Sequence, residues 1–263
     1  MSVPHDHYLT FVSSEILDET LAFHAKGNYT VHKTTQHAST LHHIPKKTLE
    51  ELTGNELPLN ILNNELSDKA LNLPTLKAGH HLKRNESCDH FTESNLNFGT
   101  IKSLVSPLLT KNEHPYKRGY PSGGALYPIE VFLVNLGNKI FQWPSDCNAL
   151  HLLPSSRTFE IHSPGIDSNK LSQAILPKES TIGTPALALI YLAYLPKALF
   201  KYRYRGYRLA LMEAGSMYML IDLRCKELSL NSRPWSGFTD HEVTKNLDLN
   251  PALFIPLCIQ FVG

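Results

Sequence analysis

Residues 115–134 read Pro-Tyr-Lys-Arg-Gly-Tyr-Pro-Ser-Gly-Gly-Ala-Leu-Tyr-Pro-Ile-Glu-Val-Phe-Leu-Val. The second half is a strand: Glu130 to Leu136 is short, rich in β-forming residues and bounded by Pro128 and Gly137. Before it lies a turn in which Ser122, Gly123 and Gly124 let backbone N–H groups approach a planar or anionic ligand closely. Taken alone, Ser-Gly-Gly between prolines is equally an ordinary turn. Upstream, Ile101, Leu104, Val105, Leu108 and Leu109 share one helical face behind Thr100, a suitable N-cap. Downstream, Pro185 to Leu195 is a continuous apolar run, which predicts a central strand covered on both faces. Tyr207 to Leu228 has no proline and few β-branched residues, which predicts a long buried helix. Phe254 to Val262 is a final strand, with Pro256 pointing to an edge or a strand start. Strands and helices in this order mean a layered α/β or α+β domain.

The first 78 residues differ from the rest. They hold seven histidines, two glycines, and nine acidic against six basic residues. Ser14 to Ala25 and Pro45 to Leu52 are candidate helices, ended by Gly27 and Gly54, and Leu57 to Lys77 reads as a loop. The expected division is therefore 1–78, an N-terminal extension, and 79–263, the main domain. Over 263 residues the net charge is +1, far below that of a protein coating itself in nucleic acid. No two of the four cysteines are closer than 33 residues, which excludes a zinc ribbon and a disulfide scaffold. The histidines lack metalloenzyme spacing, so no metal site is expected. The longest apolar run, Ala186 to Leu195, has ten residues where a membrane span needs about 20, and the start of the chain lacks a signal-peptide pattern. These features point to a soluble protein of a reducing cytoplasm that binds neither membrane nor nucleic acid.

Two further segments carry chemistry. Residues 197–208 read Lys-Ala-Leu-Phe-Lys-Tyr-Arg-Tyr-Arg-Gly-Tyr-Arg. Alternating cations and phenols suit a single-stranded nucleic acid, or a site that holds a phosphate and positions an acid/base phenol. A solvated connection between strand and helix is the simplest alternative, although loops at the ends of rigid elements often bind. Residues 233–240 read Arg-Pro-Trp-Ser-Gly-Phe-Thr-Asp, where Gly237 opens the backbone and Thr239 or Asp240 is placed to cap a helix from His241 to Leu247.

These three segments, in this order, resemble the flavin-dependent azoline dehydrogenases of the nitroreductase superfamily. The greatest similarity is to the dehydrogenase subunits of microcin-type thiazole/oxazole synthetases. Pro115–Val134 and Lys197–Tyr218 carry the resemblance, which covers about residues 79 to 263; in the first 78 residues only Phe23 to Asn28 looks similar. The resemblance implies an α+β fold, a nitroreductase-like mixed sheet flanked by helices, dimeric, with FMN at the subunit interface. It matches Arg84 to a phosphate-binding arginine and Pro121, Ser122 and Gly123 to the loop against the flavin ring. Ser236 and Gly237 match the loop whose backbone faces the flavin N5 edge, and Lys201 and Tyr202 match the catalytic pair. The superfamily has paired arginines early in the domain; here only Lys83-Arg84 remains, with His80 or His81 as the available helper.

The implied reaction oxidises thiazolines and oxazolines of a precursor peptide to thiazoles and oxazoles, in the maturation of a ribosomally made, microcin-like antibacterial peptide. A proton leaves the ring carbon that was a residue's Cα, a hydride goes to the flavin, and oxygen reoxidises it. Tyr202 is the expected base, with Lys201 favouring the phenolate, or Lys201 is itself the base. The implied partners are the cyclodehydratase subunits, the precursor peptide and a second copy, with residues 1–78 and the loop Asp146–Glu179 as candidate contact surfaces. The main alternative is an FMN-dependent NAD(P)H nitro or quinone reductase; a binding module built on the basic, tyrosine-rich stretch is another.

Overall fold

The computed structural model describes residues 5–28, 45, 47–48, 74, 77, 79–111, 116–145, 147–162, 166–176 and 181–263. The expected helix at Pro45–Leu52 and the expected loop at Leu57–Lys77 lie largely outside them.

Contacts divide the chain into two compact units, residues 1–29 with 84–263 and residues 30–83. The boundary expected at residue 78 thus falls elsewhere, and the first helix belongs to the main unit. In the second unit the rings of His80 and His81 stack 4.4 Å apart.

The main unit begins with a 3-10 helix, His5–Phe11, and α1, Ser14–Ala25. Next come β1, Leu96–Asn97, and α2, Phe98–Val105. The N-cap of α2 is Asn97, not Thr100: the Asn97 side chain accepts the Gly99 amide at 2.7 Å, which starts the helix three residues early. Its apolar face is the predicted one, with Ile101, Leu104 and Val105 buried. The turn at Ser122 leads into β2, Ile129–Asn135, followed by β3, Ile140–Phe141, β4, Ala149–Leu153, and β5, Thr158–Ile161. Helix α3, Ser168–Ile175, precedes β6, Leu187–Tyr194. Then follow α4, Leu195–Tyr202, α5, Tyr204–Glu227, β7, Ser232–Trp235, α6, Asp240–Asn246, and β8, Phe254–Val262.

Six strands form one sheet in the order β5-β4-β2-β6-β8-β7, and every pairing in it is antiparallel. Among the described residues, parallel pairing is confined to β1–β3 and a bridge between Phe91 and Gly183. Successive residues of a strand face opposite ways, so an apolar strand feeds two cores. In β6, Leu187, Leu189, Tyr191 and Ala193 join a core with α2, α4 and α5, while Ala188, Ile190 and Leu192 join one with α3 and α6.

Two expectations change. Strand β8 is internal, not an edge: Pro256 pairs with Leu192 at a bulge, where the ladder does not need the missing N–H. The stretch expected as a flexible loop, Asp146–Glu179, contains β4, β5 and α3.

Candidate active site

The turn before β2 is held in an uncommon conformation. Gly124, Ala125 and Tyr127 all have positive φ, at 63°, 54° and 50°. For a non-glycine residue this region costs about 1 kcal/mol or more, and it persists only where surrounding contacts impose it. Those contacts are present. The Ser122 hydroxyl oxygen accepts the Tyr127 amide at 2.9 Å. The Arg118 amide donates to the Tyr127 hydroxyl at 3.0 Å, and the Arg118 guanidinium lies 4.5 Å from the centre of the Tyr127 ring. Its Nη1 donates to the Tyr120 hydroxyl at 2.8 Å, and burial pushes the Tyr120 phenol well up.

Lys201 and Tyr202 end α4 directly against this turn. A Cβ on Gly124 would stand 2.7 Å from the Tyr202 hydroxyl and 3.1 Å from Lys201 Nζ. The Lys201 ammonium is 5.3 Å from the centre of the Tyr202 ring. Arg203, at φ 50°, breaks the helix and lets α5 start at a sharp angle. Gly206 makes that corner possible, because a Cβ there would lie 2.0 Å from the Ala198 carbonyl oxygen. Helix α5 supports the turn from below: Leu209 touches Gly123, and four residues on Glu213 is 2% exposed.

Burial pushes the Glu213 carboxyl up to about 7; the Ser122 hydroxyl, Arg118, the Ile129 amide and Lys197 pull the other way. Among the described residues, neither carboxylate oxygen has a hydrogen-bond partner of good geometry. Nearby Glu130, on β2, is differently placed. It accepts from His151 Nε2 at 3.0 Å and lies 3.7 Å from Lys197 Nζ, and these partners outweigh burial and hold it below the usual carboxylate range.

The rest of the basic, tyrosine-rich segment faces elsewhere. Tyr204 donates to Glu19, and the Tyr207 hydroxyl is 3.1 Å from His24 Nδ1. Tyr204, Arg205, Tyr207 and Arg208 line a cavity of about 750 Å³ with Glu19 and Phe23 of α1. The segment is therefore two surfaces, one on the turn and one on α1.

Arg84 sits at the far end of α5. Its Nε donates to Asp222 and its Nη2 to Ser87 at 3.0 Å. Asp222 also accepts from Ser232 and, at 3.0 Å, from Gln260. Leu209 and Asp222 are thirteen residues apart on one helix, about 20 Å along its axis. Ser236 is exposed after β7, and the Trp235 ring folds over Gly237, 2.8 Å from where a Cβ would be. The Trp235 indole N–H is buried and has no hydrogen-bond partner among the described residues. The structure thus sets the turn that follows Pro121, Ser122 and Gly123 against Lys201 and Tyr202 at Gly124, and shows no contact joining Arg84 or Ser236–Gly237 to that pair among the described residues. Glu213 was not foreseen from sequence, where Glu-Ala-Gly inside a long helix carries no sign of burial.

Comparison with known proteins places this arrangement. The chain is 34% identical over 258 residues to the microcin B17-processing protein McbC of Escherichia coli, covering 96% of this chain and 92% of McbC. The chain belongs to the McbC family. A chain of the E. coli microcin synthetase McbBCD complex, solved with truncated pro-MccB17 bound, superposes on it with a TM-score of 0.82 at 30% identity, covering 100% of this chain and 97% of that one. A nitroreductase structure from Ralstonia eutropha matches with a TM-score of 0.57 at 16% identity, over 73% of this chain and 87% of the other, which shows the nitroreductase-like fold. No family model matches the chain. Both long motifs of the McbC-family resemblance, Pro115–Val134 and Lys197–Tyr218, lie within the matched length. Among the described residues, no helix is long and apolar enough to cross a membrane.

Proposed function

We propose that this McbC-family protein is an FMN-dependent dehydrogenase that oxidises peptide thiazolines and oxazolines to thiazoles and oxazoles. It works in the cytoplasm as a homodimer, with cyclodehydratase subunits that deliver the azoline-bearing precursor peptide of a microcin-like antibacterial. One observation carries the reading: Lys201 and Tyr202 are pressed onto a strained turn with no side chain at Gly124, so a phenol and an ammonium border bare backbone. Exposed Leu211 and Met212 on α5, and Phe23 on α1, give apolar surface for partners.

The residues fit FMN. The Ser122–Gly124 turn offers backbone to a flat ring. The unpaired indole N–H of Trp235, beside Ser236–Gly237, is a buried donor in want of an acceptor. Arg84 uses two of its five N–H groups on Asp222 and Ser87, so Asp222 fixes a guanidinium with donors left for a phosphate. When bound, FMN supplies the two-electron acceptor for the ring hydride.

The chain's own part is the proton. Aromatisation releases H⁺ from the former Cα and a hydride from the ring. Tyr202, as the phenolate that the neighbouring Lys201 ammonium favours, takes the proton at its oxygen and becomes the phenol. The exposed rim at Lys201 admits a peptide, while the buried Tyr127 and Tyr120 beneath the turn keep water from that side.

Purification followed by denaturation should release FMN. Tyr202→Phe and Lys201→Ala should keep FMN and lose thiazole formation from a thiazoline peptide. Failure to hold FMN, even with the partner subunits and excess flavin, rejects the dehydrogenase; rapid reduction by NAD(P)H with no azole formed supports the reductase instead.

A further inference from the structure

We propose that Glu213 is a positioning residue for the catalytic pair: set beneath Ser122 on α5, its carboxylate holds the turn against which Lys201 and Tyr202 pack. The proposal rests on the reading of that pair as catalytic.

The turn carries three left-handed residues, two of them not glycine, so something must hold it. Ser122 is the hinge of that restraint. Its oxygen already accepts the Tyr127 amide, so its own O–H is left to donate, and a hydroxyl has one proton to give. Glu213 is the acid facing it. With Glu213 ionised, the Ser122 O–H is drawn toward the carboxylate, short of a well-formed hydrogen bond, while the Ser122 oxygen keeps the Tyr127 amide. With Glu213 protonated, its own O–H competes to donate to Ser122, and the restraint weakens.

The carboxylate is poorly satisfied. It is buried, and neither oxygen has a good hydrogen bond. An ion in that condition is a cost to the fold that a mere packing role would not require. The groups that act on it are Arg118 from the preceding loop, Ser122 and the Ile129 amide from the turn and β2, and Lys197 from α4, and it acts in turn on the Tyr120 phenol, as Glu130 does. Burial pushes the Glu213 carboxyl up to about 7, and the positive charges of Arg118 and Lys197 limit that rise. The active form is therefore favoured as pH rises through about 7.

The test uses the full chain loaded with FMN and a synthetic peptide bearing one thiazoline. Wild-type thiazole formation should rise about tenfold as pH passes through neutrality, the behaviour of a single ionisation. Glu213→Gln should keep FMN, lose that rise, and run about tenfold slower near pH 8. It should also melt at a higher temperature than wild type near pH 8, with the gap closing toward pH 4.5, because a neutral side chain removes a buried charge. A residue of purely structural importance would lose activity and stability together. Ser122→Ala, which keeps the carboxyl, should also flatten the pH profile, and the double variant should be no slower than the slower single one.

A Glu213→Gln variant with the wild-type rate and pH rise overturns the proposal, as does one whose melting temperature falls along with its rate. If Glu213→Gln does not fold, a Ser122→Ala protein that retains the pH rise overturns it instead. Wild-type protein that holds FMN yet makes no thiazole at any pH overturns the catalytic reading, and the proposal with it.

Discussion

Asp222 and Glu213 lie nine residues apart on α5, at 3% and 2% exposure, and their surroundings are opposite. Asp222 accepts from Arg84, Ser232 and Gln260, and Gln260 in turn accepts from the buried Tyr191 hydroxyl at 2.7 Å. Glu213 has no hydrogen bond of good geometry. The first acid ties β7, β8 and α5 to residue 84, and the second lies under a strained turn. A fold can bury a carboxylate at low cost when partners replace water, and an unpartnered one marks a place where stability has been given up.

Breaking the satisfied centre should have the largest effect. Asp222→Ala leaves the Arg84 charge and the Ser232 and Gln260 donors without their acceptor, and should cost about 3–5 kcal/mol in urea unfolding. Asp222→Asn retains an acceptor and should cost less. A loss of under about 1 kcal/mol for the alanine variant would mean that the cluster is dispensable. The pair proposed as catalytic, Lys201 and Tyr202, should behave in the reverse manner. Tyr202→Phe should slow thiazole formation by about 10²- to 10⁴-fold, the usual range for a lost proton acceptor. Its unfolding free energy should change by no more than about 1 kcal/mol, since Tyr202 lies at a helix end and is only half-buried. A parallel loss of both would make Tyr202 a structural residue.

Glu213 should invert the response of Asp222. An acid whose folded-state pKa is raised binds protons more tightly when folded, so its contribution falls as pH rises from 4.5 to about 7 and is level above that. Glu213→Gln should therefore add stability near pH 8, by up to about 3 kcal/mol, and nothing below pH 4.5. A smaller effect comes from the turn itself. Gly124→Ala adds a Cβ at φ 63°, 2.7 Å from the Tyr202 hydroxyl, and should cost about 1–2 kcal/mol while displacing the phenol. Unchanged activity in that variant would show that the turn and the phenol are not coupled.

The sheet centre and the long helix after it were legible because their signals are local. The run Pro185–Leu195 contains β6, Glu130–Leu136 overlaps β2, and Tyr207–Leu228 lies almost wholly within α5. Lys201 and Tyr202 stand out in sequence through their motif, and their closeness to Gly124, set by the corner at Arg203 and Gly206, was not legible there. The hairpin of β4 and β5 was missed, although Pro154-Ser-Ser-Arg157 between two apolar runs is a turn signal. Long-range partnership had no local trace. Nothing around Asp222 in sequence indicates Arg84, 138 residues away, and nothing around Glu213 indicates that its face of the helix meets the turn at Ser122. Burial of a charge is decided by packing between distant segments, and a single sequence does not carry it.

A third buried acid sharpens the contrast between Asp222 and Glu213. Glu130 is paired by His151 and Lys197, and His151 passes the interaction on through Nδ1, 3.1 Å from Glu160. With both ring nitrogens facing carboxylates, which only accept, His151 donates twice and is the imidazolium. Burial lowers its pKa, but Glu130 and Glu160 raise it by more. A base with a raised folded-state pKa contributes stability that is complete below its unfolded value, near 6.5, and is lost as pH rises through the folded value. Glu160 is half-exposed, so Glu160→Gln should cost about 0.5 kcal/mol or less, seen below pH 6.5 and vanishing in alkali. Glu130→Gln, which strips the buried partner from His151 and Lys197 together, should cost several times more over the same pH range. Equal costs for the two variants would mean that His151 is held by the sheet, and that a paired carboxylate in this protein contributes no more when it is buried than when it is wet.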